Sequence, residues 1–134
     1  MQNHPSALQE IVNLVMDSLV PFATTRKSFL VNDIAPEIEL YADKDMLALV
    51  VSDVLKTAIR HTENDCIRIT AKSVQDSIFL NVKENGCRPY IAVAESMERI
   101  QPLAEKLGGF ITVASSSHEG VTVAFSFYNG YKAA

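Results

Sequence analysis

The sequence predicts an α/β (α+β) protein, a two-layer sandwich in which about three helices cover one face of a mixed, mostly antiparallel sheet. Three observations predict it. Residues 46 to 59 repeat apolar side chains at helical spacing, two pairs of runs alternate with period two around short polar turns, and the elements follow one another as helix, strands, helix, hairpin, helix, hairpin.

Residues 6 to 22 place Leu8, Ile11, Val12, Leu14, Val15 and Leu19 on one helical stripe, with Ser6 available as its cap and an end near Pro21. The apolar face of this helix suits either the chain's own sheet or another chain. Two extended runs follow, 27 to 32 and 37 to 41, split at Asp33 to Pro36 because proline disfavours helix in the residue before it. Asp43 then caps a second helix, in which Met46, Leu47, Val50, Val51, Val54, Leu55, Ala58 and Ile59 share one broad stripe. After Asn64, a residue that tolerates the left-handed conformation, "CIRITAKS" and "SIFLNVKE" alternate around Gln75-Asp76 as an antiparallel hairpin. Residues 94 to 107 return to helical spacing through Met97, Ile100, Leu103, Ala104 and Leu107, and Gly108-Gly109 ends the helix. A second hairpin, "FITVASSS" and "VTVAFSFY", turns at His118-Glu119-Gly120. Residues 1–134 read as a single domain, with 1–5 and 129–134 as loose tails.

Bulk composition narrows the function. A chain of 134 residues that is 48% apolar and 21% charged has the balance of a globular domain, and no apolar run reaches the length that spans a bilayer. The net charge of -4, with no cluster of Lys and Arg, argues against nucleic acid as a partner. Cys66 and Cys87 stand apart from each other and from any metal-like spacing, which predicts two reduced thiols, with a disulfide as the alternative. The start "MQNHPSALQE" has neither a basic region nor an apolar core, so the expected location is cytoplasmic.

Polar residues interrupt the pattern in two places. On the second helix Asp53, Lys56, Thr57 and Arg60 recur at spacings that put them on one face, with His61 at its edge. Taken alone, this is a solvated helix face. In "VKENGCRPY" the Asn85-Gly86 pair favours a turn, because both residues accept positive φ. His4 lies in the terminal tail and His118 in a turn.

The fixed order of a helix ending "TAIRHT", a hairpin, "ENG", a helix ending "LAEKLGG" and a terminal hairpin around "HEG" resembles the ATP-binding domain of sensor histidine kinases (HATPase_c). Its superfamily, GHKL or Bergerat, includes DNA gyrase, the ninety-kilodalton chaperones and the mismatch-repair ATPase. The resemblance runs from Leu8 to Phe127 and implies a Bergerat-type fold without a long ATP lid. "DVLKTAIRHT", residues 53 to 62, keeps the frame of the family's N-L-L-x-N-A-I-K-Y/H-T helix. The family's metal-binding asparagine is matched by Thr57, a poorer reach toward Mg²⁺ than an amide oxygen. Asp53 matches the position where the ATPase branches place a base. Arg60 and Lys56 match the phosphate side, and His61 the residue flanking the nucleotide.

The family's D-x-G-x-G adenine loop corresponds here to Glu84 through Arg88: Glu84 keeps a carboxylate one methylene longer, Gly86 keeps the first glycine, and Arg88 replaces the second. Ala94 and Ser96, with Glu95 between them, align with the glycines whose backbone N–H groups cradle phosphates, and the lid shrinks to Pro89 through Val93. No phosphoacceptor histidine in the family's H-E-x-x-x-P context is present.

These departures imply a degenerate ATP-binding domain of a two-component-type signalling protein, acting as a protein-interaction module. No cofactor is expected, and no catalysis in this chain alone. The implied partner is another signalling protein of the kinase-dimerisation-domain or response-regulator type, without nucleic acid or membrane insertion, and a homodimer is left open. The alternative is an atypical catalytic domain that binds ATP and Mg²⁺ for phosphoryl transfer to a histidine on another domain. An anti-sigma-type regulator on the same fold is a third class, and it ordinarily needs the same missing glycines.

Overall fold

Residues 6–84, 90–116 and 120–130 are described by a computed structural model. The elements are β1 (Ser6–Ala7), α1 (Leu8–Thr25), β2 (Phe29–Asn32), β3 (Glu39–Leu40), α2 (Lys44–Arg60), β4 (Cys66–Val74), β5 (Ser77–Glu84), α3 (Tyr90–Lys106), β6 (Phe110–Ser116) and β7 (Gly120–Tyr128).

Five strands form one sheet in the order β2-β4-β5-β7-β6, parallel between β2 and β4 and antiparallel elsewhere. Both predicted hairpins are present, and β5 joins them by pairing with β7, so that Leu80 faces Phe125 and Val82 faces Val123. Because side chains alternate across a strand, Ile67, Ile69, Ile78, Leu80, Val82, Val123 and Phe125 all point to one side, where they are buried. The helices cover that side: α1 packs on α2 and β2, α2 on α3 and β5, and α3 on β6. Leu8, Leu47, Leu55 and Ile59 are buried at the centre of this helical layer. β6 is an edge strand, and Gln101 of α3 blunts it: its side-chain amide donates to the Ile111 carbonyl at 3.0 Å and accepts from the Ile111 N–H at 2.8 Å.

Asp43 caps α2 as expected, accepting from the N–H groups of Asp45 at 3.0 Å and Met46 at 3.1 Å. Ser6 does not cap α1. It lies in β1 opposite Leu40, the cap position is Ala7 without a side-chain bond, and the Leu8 N–H donates to the Ile38 carbonyl at 2.9 Å instead. The two-stranded sheet of β1 and β3 therefore does the work of a cap, and this pairing is not visible in the periodicity of so short a stretch.

Nor does α1 stop near Pro21. It runs to Thr25, although an interior proline removes one helical hydrogen bond and crowds the preceding turn, at a cost of about 3 kcal/mol. Two interactions offset this: Ala23 is buried, and the helix closes on itself with Ser28 N–H to Ala23 carbonyl at 2.9 Å and Lys27 N–H to Thr24 carbonyl at 2.9 Å. The left-handed residue in that closure is Lys27, at φ 56.

α3 starts at Tyr90 rather than 94, because its buried stripe already begins at Val93 and continues through Met97, Ile100 and Ala104. The residues assigned to a shortened lid, Pro89 through Val93, are thus helical from Tyr90 onward. Asn129, assigned to a loose tail, is tied down. Its side chain accepts from the N–H groups of Tyr41 at 2.8 Å and Ala42 at 3.3 Å and donates to the Glu39 carbonyl at 2.9 Å, fastening the end of β7 to β3. Asn129→Ala is expected to lower stability by about 1 to 2 kcal/mol, read as a fall in the urea midpoint at unchanged slope.

Candidate functional site

The stripe that faces the sheet leaves one row of α2 turned toward α3. In that row Asp53, Lys56, Thr57 and Arg60 line a cleft of about 190 Å³, closed on the other side by Ser96, Arg99 and Ile100 of α3. Four of the predicted site residues thus meet a fifth, Ser96, across two helices far apart in sequence. The reading of this row as a solvated face is corrected for Thr57, which is only 4% exposed. α3 packs over it, and its hydroxyl donates to the Asp53 carbonyl at 2.9 Å.

Lys56 and Arg60 are exposed and Asp53 is half-buried, so the cleft carries cationic side chains at its mouth and one carboxylate inside. Arg99, also exposed, adds a third cation. Arg99 does not stand out in the sequence, and Ile100 reads there only as part of the apolar stripe of α3. The available signal is their position three and four residues after Ser96, which repeats the same helix face.

His61 follows α2 directly, and its Nε2 lies 3.5 Å from the Ser96 hydroxyl, which itself donates to the Ala92 carbonyl at 3.1 Å. With its proton engaged by that carbonyl, the hydroxyl is a helix-bonded side chain and not an activated nucleophile. Ala94 is half-buried on α3 and does not line the cleft. Both Ala94 and Ser96 sit inside the helix, at least four residues past its start, where a backbone N–H bonds the carbonyl one turn back. Neither position therefore offers a free backbone N–H.

Glu84 ends β5 opposite Ile67 and Val121, and its parity along the strand turns it to the helical side, where it is buried. It does not line the α2–α3 cleft. Gly86, Cys87 and Arg88 lie outside the described residues. Cys66 carries a free thiol. Among the described residues no His, Cys, Asp and Glu side chains gather in a group of three or more that could hold a metal ion, and no helix is long and apolar enough to cross a membrane.

A helical layer in the order α1, α2, α3 on a mixed five-stranded sheet, with the polar row of α2 facing α3, is a fold shared with solved catalytic domains of histidine kinases. The catalytic domain of histidine kinase ThkA superimposes with a TM-score of 0.79 at 18% identity, over 96% of this chain and 98% of that one. Acinetobacter baumannii histidine kinase AdeS gives 0.79 at 13% identity, over 98% of this chain and 70% of that one. ThkA in complex with the response regulator protein TrrA gives 0.77 at 16% identity, over 95% of this chain and 42% of that one. No protein-family model and no curated protein matches the sequence.

Proposed function

We propose that this chain is a degenerate histidine kinase-like domain that binds no ATP and serves a two-component-type signalling protein by docking another protein in the cytoplasm. One observation carries the reading: the positions that should cradle phosphates, Ala94 and Ser96, are built into α3, and α3 packs directly on α2. A further feature supports it. Thr57, where the fold's relatives would hold Mg²⁺, is buried with its hydroxyl proton donated to the Asp53 carbonyl. The residues present do not fit a magnesium-bound triphosphate, and no phosphoryl-transfer step is assigned to them. The response-regulator complex of ThkA supports a partner of that kind for this chain as well.

A second reading has one feature in its favour, the three cations Lys56, Arg60 and Arg99 around the cleft, which suit an anionic ligand. Thermal unfolding with and without millimolar ATP or ADP and Mg²⁺ separates the two. A nucleotide present at 100 times its Kd would stabilise the fold by about 2.7 kcal/mol and raise Tm by several degrees. The expected shift is under about 1 °C, and a rise of several degrees would restore an ATP-binding domain.

A further inference from the structure

Not every apolar side chain of α1 reaches the core. Ile11 and Val15 are buried on the inner side, but Leu14 is 71% exposed. Across from it on α2, Leu49 is 45% exposed and Ala48 half-buried. These five residues form the floor and walls of a groove of about 580 Å³ between the two helices, on the other side of α2 from the α3 cleft. α1 leaves β1 and α2 starts just after β3, so both helices begin at the same small sheet. Along α2 the groove extends from Lys44 to Ser52, which at 1.5 Å per residue is about 12 Å, or slightly over two helical turns.

Charge decides what suits this groove. Glu10 and Asp45 stand on its rim with Lys44. α1 itself, LQEIVNLVMDSLVPFATT, carries no basic residue. The groove is therefore apolar at the centre, with two carboxylates and one ammonium on its rim.

We infer that the α1–α2 groove docks a basic amphipathic helix of a partner protein, its leucine-type side chains between Leu14 and Leu49 and its Lys or Arg residues against Glu10 and Asp45. A helix laid in an apolar groove with anchors three and four residues apart is a common recognition mode, and slightly over two turns would fill this one. The inference rests on the proposal that the chain acts by binding protein, and it gives that activity a surface away from the α2–α3 cleft.

The test uses the full 134-residue chain and two fluorescein-labelled helical peptides that share one leucine row, flanked by lysine in one and by glutamate in the other. In anisotropy titrations the lysine peptide is expected to bind about tenfold or more tightly than the glutamate peptide, and to weaken as salt is raised. Leu14→Glu and Leu49→Glu, both at exposed positions, should each abolish binding at unchanged Tm, and Glu10→Lys with Asp45→Lys should reverse the preference. Amide shifts in NMR should move around Leu14 and Ala48 and stay fixed around Arg60 and Ser96. Equal binding of both peptides, binding of neither, or shifts confined to the α2–α3 cleft would overturn the inference. So would a concentration-dependent dimer that Leu14→Glu dissociates, which would assign the groove to a second copy. A Tm rise with MgATP would overturn the non-binding reading while leaving the peptide result intact, so the two failures are distinguishable.

Discussion

Replacing Gly109 with alanine is expected to cost about 3 kcal/mol or more, a large share of the 5 to 15 kcal/mol that holds a typical domain together. α3 ends in a closure in which the Gly109 N–H donates to the Ala104 carbonyl at 3.1 Å and the Gly108 N–H to the Glu105 carbonyl at 2.9 Å. The turn brings the chain hard against β7. A Cβ on Gly109 would overlap the Ser126 carbonyl oxygen and stand 2.9 Å from the Cα of Phe127. Those atoms belong to a strand paired on both sides, by β5 and β6, so no flexible side chain can give way. Gly108 is the control, because it sits in the left-handed region at φ 72 while a Cβ there would meet nothing closer than Tyr128 Cβ at 3.7 Å. Gly108→Ala therefore meets no neighbour and pays only the strain of a Cβ held against its own backbone in the left-handed region, about 1 to 2 kcal/mol. Urea unfolding of the two variants gives the ranking; a milder effect at Gly109 would contradict the close approach of the turn to β7.

Phe127→Ala is expected to destabilise by about 3 to 5 kcal/mol. The ring is 2% exposed, and its centroid lies 5.2 Å from that of Phe125 at an interplanar angle of 31°, so the substitution opens a cavity and removes an aromatic pair. Tyr128, the next residue, is 41% exposed on the opposite face of the sheet, and Tyr128→Ala should cost under about 1 kcal/mol. A pair of adjacent aromatics with such different effects is what period-two alternation predicts. Comparable losses at both positions would place Tyr128 in a buried contact that its exposure denies.

The hairpins and α2 were legible because their signal is local. Alternation from Cys66 to Glu84 and the cap at Asp43 depend on neighbours within a few residues, and β4, β5 and α2 fall where the sequence places them. The candidate site was legible in part. The spacing of Asp53, Lys56, Thr57 and Arg60 marks one face of α2, but whether that face meets water or a helix depends on where α3 lies, and α3 begins four residues earlier than its motif frame suggested. Arg99 entered the cleft through the same long-range packing. Ser6 and Asn129 were misread for a related reason: their partners, Leu40 for the one and Glu39, Tyr41 and Ala42 for the other, are distant in sequence.

By itself the sequence determined the order of helices and strands, the main apolar face of each apart from Leu14 on α1, and the class of fold they assemble into. Each follows from the backbone's own repeat, 3.6 residues in a helix and two in a strand, which fixes where successive side chains point. Only the tertiary structure decided that the polar row of α2 lines a narrow cleft, that Thr57 is buried, and that Leu14 and Leu49 are left exposed across a groove. Those outcomes depend on the distances between helices, which are set by how whole side-chain surfaces fill the space between them and are written in no single stretch of the chain.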